Sequence, residues 1–99
     1  MSYRFLVDTY QTERLKTLTV WSECRDADLA FRPSPLARSV REQMVHQCLS
    51  ESAWFTKMLG IPTVGAELPE IETKPSLIEH YAAASERRLA ALGDKPDPW

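Results

Sequence analysis

The stretch SVREQMVHQCLSESAWFTKML, residues 39–59, decides the fold that we predict for this chain. Ser39 and Glu42 have the spacing of a capping box, in which each side chain bonds the backbone amide of the other residue and starts a helix. Gly60 and Pro62 then supply the stop signal of a helix. Between these ends, apolar and small side chains recur at three- and four-residue intervals and share one helical face: Met44, Val45, Cys48, Ser52, Phe55 and Leu59. We therefore predict an amphipathic helix over this stretch.

Two further helices are predicted on either side of it. Apolar residues at helical spacing favour a first helix from about Tyr3 to Cys24, although Arg14 interrupts its apolar stripe. A third helix is predicted from near Pro75-Ser76 to Gly93, where Ser76 and Glu79 repeat the capping-box spacing and the composition is rich in alanine. No stretch has the alternating pattern of a strand, so the predicted fold class is all-α.

The two connections between these helices are long and contain prolines. Residues 25–38 include Leu29 and Phe31, which we expect to pack across one end of a helical bundle. Residues 61–74 are also long for a structureless connection in a compact domain. A crossover between two parallel helices, as in an up-down-down-up bundle, would explain that length.

Composition excludes several classes of function. The 99 residues suit a single domain over residues 1–99, and their net charge of -2 comes with scattered Lys and Arg, which argues against nucleic-acid binding. No apolar run approaches the length of a membrane span, so no membrane partner is expected. Cys24 and Cys48 form no C-x-x-C pair and the start lacks a secretory signal, which predicts reduced thiols in a cytoplasmic protein.

The residues Phe31-Arg32-Pro33, the run from Ser39 to His46, then Glu51 and Trp54-Phe55 together resemble the DinB-like (DinB/YfiT) family. That resemblance implies an up-down-down-up four-helix bundle that is often dimeric. It also implies, for many members, a divalent metal held by three histidines. One of these lies on the second helix and two belong to an H-x-x-x-H motif on the fourth.

This chain departs from the family pattern in its metal ligands. Only His46 matches a ligand position, and the sequence contains no H-x-x-x-H motif. We therefore expect the first three long helices of the bundle, with the fourth helix absent and the domain incomplete. The chain is then either a fragment or a natural short form. Because catalytic zinc generally has three protein ligands, a metal such as Zn²⁺ or Ni²⁺ is expected in a full-length protein and none in this stretch alone.

Two alternative functions remain open, of which the resemblance implies the first. The first is a metal-dependent thiol transferase or hydrolase with a small thiol or another small molecule as substrate, in which the metal lowers the pKa of a bound thiol or water. The second is a non-catalytic bundle that acts by binding or by forming a homodimer.

The residues on their own predict no catalytic residue and no cofactor site, since a lone helical histidine is more often a surface or core residue than a ligand. Glu42 could orient His46 or serve only in the helix cap. Cys48, on the apolar face, is expected in the core rather than as a nucleophile. His80 is expected on a solvated helix surface.

Overall fold

The structure, a computed structural model, describes residues 4–63 and 65–94. In order along the chain it contains α1 (Arg4–Glu23), a short 3₁₀ helix (Asp26–Ala30), α2 (Val40–Leu59) and α3 (Lys74–Gly93). The described residues contain no strand, which confirms the all-α fold class. The predicted start of the first helix at Tyr3 lies outside the described residues, and the absence of a fourth helix stays a prediction.

Both predicted ends of α2 are confirmed. The hydroxyl of Ser39 accepts a hydrogen bond from the Glu42 amide at 3.1 Å, and the Glu42 carboxylate accepts one from the Ser39 amide at 3.1 Å. At the other end Gly60 has a φ of 68°, a left-handed conformation that glycine adopts at little cost. The next amide, of Ile61, donates to the Phe55 carbonyl at 2.9 Å. The helix that decides the fold is therefore specified locally.

α3 begins at Lys74, close to the predicted start near Pro75-Ser76, but its cap differs from the prediction. Thr73 is the N-cap, and its hydroxyl accepts a hydrogen bond from the Ser76 amide at 3.3 Å. Ser76 thus lies within the first turn, so the predicted cap at Ser76 with Glu79 is wrong. Pro75 fits that first turn because its missing N–H would have no helical partner there.

The core consists of two apolar clusters. One contains Trp21, Met44, Cys48, Leu77 and Tyr81, and the other contains Phe55, Ile61 and Leu92. Both clusters draw on α2 and α3, and α1 packs along α3. The prediction that Cys48 lies in the core is confirmed, since only 2% of it is exposed.

The connection between α1 and α2 packs only in part as expected. Leu29, within the 3₁₀ helix, is half-buried against the first cluster, as predicted. Phe31 is 61% exposed, so its predicted packing across the end of the bundle is wrong. The 3₁₀ helix has ended at Phe31, where the backbone is extended and directs the ring away from the core. Among the described helices, none is long and apolar enough to cross a membrane.

Candidate functional site

His46 lies on the exposed side of α2, away from the apolar clusters. The hydroxyl of Ser50, one turn further along the helix, is 3.2 Å from Nε2 of the His46 ring and 3.4 Å from Nδ1. The expectation that this histidine lies outside the main core is confirmed. Its predicted role as a metal ligand stays a prediction.

A shallow depression surrounds His46. It is lined by Arg38, Arg41, Glu42, Val45, His46, Leu49 and Glu72. The Glu72 carboxylate in this depression is already paired with the Arg41 guanidinium at 3.3 Å.

Glu42 serves its helix cap rather than His46. Its carboxylate accepts from the Ser39 amide and also pairs with the Arg32 guanidinium. The bonds from Ser39, and then the charge of Arg32, lower the pKa of the Glu42 carboxyl. The prediction that Glu42 caps the helix is thus confirmed, and its alternative role as a partner of the His46 ring has no support in these contacts.

The described residues do not complete a metal site at His46. Within residues 4–63 and 65–94, no group of three His, Cys, Asp or Glu side chains is arranged to hold a metal ion. The two carboxylates beside His46, those of Glu42 and Glu72, are already paired with the guanidinium groups of Arg32 and Arg41. His80, the other histidine, uses Nε2 to contact the Glu67 carbonyl at 2.9 Å. Of the three histidine ligands that the family resemblance implies, the described residues therefore supply only His46.

A buried polar cluster that sequence reasoning missed lies around Glu51 on α2. The Glu51 carboxylate accepts hydrogen bonds from the Tyr10 hydroxyl of α1, the Tyr81 hydroxyl of α3 at 2.7 Å, and the Gln47 amide at 3.0 Å. Nη1 of Arg88, on α3, lies 3.3 Å from the same carboxylate. Only 9% of the Glu51 side chain and 4% of the Arg88 side chain are exposed. These five residues, which we call the Glu51 cluster, join all three long helices.

One of the three nitrogens of the Arg88 guanidinium lacks a hydrogen-bond partner. Nη1 bonds Glu51, and Nη2 donates to the Thr63 hydroxyl at 3.2 Å. The guanidinium carbon also lies 5.7 Å from the centre of the Phe55 ring. Nε, in contrast, is buried without an acceptor, and it is the one side-chain atom of this kind among the described residues.

Arg14 forms a second buried contact between α1 and α3. Its Nε donates to the Ser85 hydroxyl at 2.8 Å, and Nη2 donates to the Ala82 carbonyl at 3.0 Å. Nη1 reaches the Gln11 side chain at 3.2 Å. Arg14 therefore does interrupt the apolar stripe of α1, as predicted, and its guanidinium is hydrogen-bonded inside the helix interface.

Burial raises the pKa of three side chains in or beside the Glu51 cluster: Tyr10, Tyr81 and Cys48. Desolvation, with the hydrogen bond and charge of Glu51, raises the pKa of Tyr10 and the pKa of Tyr81. Desolvation likewise raises the pKa of the Cys48 thiol to about 11, although the charge of Arg88 opposes the shift. At neutral pH the phenols are therefore proton donors to Glu51, and Cys48 is a protonated core side chain rather than a thiolate nucleophile.

Comparison with known families gives one match. A family model described as the DinB superfamily matches residues 9–98, which include His46 and the whole Glu51 cluster. No similar curated protein and no similar solved structure was found.

The raised pKa values of Tyr10, Cys48 and Tyr81 predict that alkali destabilises the fold. In the unfolded chain the Cys48 thiol ionises near its ordinary pKa of 9.0 and Tyr10 and Tyr81 ionise near 10.0, whereas the raised pKa values of the folded chain keep each group protonated to higher pH, to about 11 for Cys48. The folded state then binds more protons, so the free energy of unfolding falls as pH rises, by up to about 1.4 kcal/mol per pH unit and group. Urea denaturation should show a midpoint that falls from about pH 9 upward.

The matched variant is Cys48→Ala. Its urea midpoint should no longer fall from about pH 9, the ordinary pKa of the thiol, but should still fall from about pH 10, where the tyrosines of the unfolded chain ionise. A midpoint that stays constant through this alkaline range would contradict the burial of these groups.

Proposed function

The chain belongs to the DinB superfamily, and we propose that it forms part of a metal-dependent enzyme of the thiol-transferase or hydrolase type. In this proposal His46 supplies one metal ligand, and the substrate is a small thiol or another small molecule. The observation that supports the proposal is the exposure of His46 on α2, where a metal ion held by the other ligands can reach the ring nitrogens.

The proposal assigns a positioning role to Ser50. Its hydroxyl is within hydrogen-bond distance of the His46 ring, and a bond to one ring nitrogen leaves the other nitrogen free for a metal. Because a metal generally needs three protein ligands, the remaining ligands would come from a segment other than the described residues. That segment would pack over the depression beside α2.

Metal analysis tests the proposal directly. Full-length protein that includes the segment with the remaining ligands should retain metal after incubation with Zn²⁺ or Ni²⁺ and dialysis, measured by inductively coupled plasma mass spectrometry. The His46→Ala variant should lose that metal because the imidazole is a ligand. The matched control His80→Ala should keep it, since that ring contacts a backbone carbonyl instead. Equal metal content in wild type and His46→Ala would reject the proposal.

A second candidate function is binding through a homodimer, without catalysis. Trp54 and Met58, one turn apart on α2, are 53% and 68% exposed. On α1, Val20 is 63% exposed and adjoins Leu15, which is also exposed. Exposed apolar patches of this kind mark interfaces between proteins, and we propose a second copy of this chain as the partner.

Sedimentation velocity distinguishes this candidate. The wild type should sediment as a dimer at micromolar concentration, and Trp54→Glu should shift it to monomer by placing a charge in the apolar contact. Thr56→Glu, at an exposed position between the same two residues, is the matched control and should remain dimeric. A folded wild-type monomer at that concentration would contradict the homodimer.

A further inference from the structure

The depression around His46 is large enough for a small molecule. Its volume is about 330 Å³, at the lower end of the range of small-molecule sites. Most of its lining comes from α2, and Glu72, in the connection that leads to α3, also contributes. The ion pair between Arg41 and Glu72 joins these two parts of the lining. A ligand in the depression would therefore contact both α2 and this connection.

The charged groups around the depression leave one positive charge uncompensated. Arg41 pairs with Glu72, and Arg32 pairs with Glu42. Arg38 lines the same depression, but its side chain makes no ion pair or hydrogen bond with any residue that the structure describes. The balance of charge beside His46 therefore favours an anion with a single charge.

The side chain of Arg38 can adapt to such an anion. Arg38 is exposed, and exposed side chains change rotamer within nanoseconds, so the guanidinium can turn toward a ligand in the depression. A guanidinium binds a carboxylate through two parallel N–H···O bonds. One guanidinium balances the single charge of a carboxylate, whereas a phosphate monoester carries nearly two charges at neutral pH. The charge therefore favours a carboxylate over a phosphate.

The apolar part of the lining suits the remainder of a carboxylate ligand. Val45 is half-buried and Leu49 is exposed, and both line the depression with His46. Arg38 directly precedes the cap residue Ser39, and His46 lies about 10 Å further along the axis of α2, at 1.5 Å per residue. A short hydrocarbon chain packed on Val45 can therefore extend from the imidazole toward the guanidinium.

We propose that the substrate of this site carries a carboxylate and that Arg38 is the residue that recognises it. This inference rests on the proposed function, in which the thiol or other reactive group of the substrate lies near His46. The carboxylate then lies on Arg38, and the intervening carbon atoms lie on Val45. Arg38 determines specificity in this scheme and does not contact the reacting atoms.

Two thiols of the same size, 3-mercaptopropionate and its uncharged amide 3-mercaptopropionamide, test the role of Arg38. Full-length ¹⁵N-labelled protein is titrated with each thiol at neutral pH, with and without Zn²⁺, and Kd is measured from the backbone amide signals of Val45 and Leu49. The carboxylate should bind about two- to fivefold more tightly than the amide, the range that an exposed ion pair contributes. Added sodium chloride should reduce this preference by screening.

Three variants locate the preference. Arg38→Gln should abolish it and leave the Kd of the amide unchanged, whereas Arg38→Lys keeps the charge and should retain part of it. Arg87→Gln removes an equal charge from an exposed position on α3 and is the matched control, which should keep the full preference. All three variants should retain as much Zn²⁺ as the wild type, because none of them removes the imidazole of His46.

The outcomes separate this inference from the proposed function. Equal Kd values for the two thiols in a wild type that retains Zn²⁺, or a preference that persists in Arg38→Gln, would overturn the role of Arg38 and leave the metal site intact. A wild type that retains no Zn²⁺ would reject the proposed function. A preference that depends on Arg38 in the metal-free protein would then still support carboxylate recognition in the depression, and its absence would overturn both.

Discussion

The largely buried carboxylate of Glu51, shared by all three long helices, is the constraint on which the arrangement of the chain depends. It lies on α2 between the Cys48 and Phe55 positions of the two apolar clusters, and it receives hydrogen bonds from α1 and α3 as well as from its own helix. A charge withdrawn from water is strongly unfavourable unless it is fully paired. Any rotation or shift of one helix would separate the carboxylate from at least one donor. The cluster therefore selects one relative position of the helices, while the apolar contacts supply most of the stability.

The same constraint sets the direction in which the candidate site faces. Glu51 and His46 belong to one helix, so a rotation of α2 that kept Glu51 inside could not also bring the imidazole into the core. The inward carboxylate thus holds the outward ring, and Ser50 with it, toward the depression lined by Arg38 and Glu72. The orientation of the proposed metal ligand therefore depends on the interior ion pair between α2 and α3.

Local chemistry explains which features could be predicted from the sequence. The cap formed by Ser39 and Glu42 and the buried position of Cys48 depend on neighbours within one or two helical turns, and both are confirmed. The cap of α3 was assigned to the wrong residue because Thr73 and Ser76 are both good caps, and only the fold selects between them. The Glu51 cluster was missed because its bonds between different helices join residues 30 to 41 positions apart. The available signal was Glu51, a charged residue on an otherwise apolar helical face. Without knowledge of its partners, such a residue predicts either an interruption of the apolar face or a buried ion pair.

A double-mutant cycle between Glu51→Gln and Arg88→Met, measured by urea denaturation, tests the central role of the buried carboxylate most directly. Glu51→Gln alone should lower the free energy of unfolding by about 3 kcal/mol, because it leaves the Arg88 charge buried without its counter-ion. The double variant should be less destabilised than the sum of the single variants, with a coupling energy of roughly 1–3 kcal/mol. The neighbouring control, Glu51→Gln with Arg87→Met, should be additive. Additivity to within about 0.5 kcal/mol for the Glu51 and Arg88 pair as well would contradict the account.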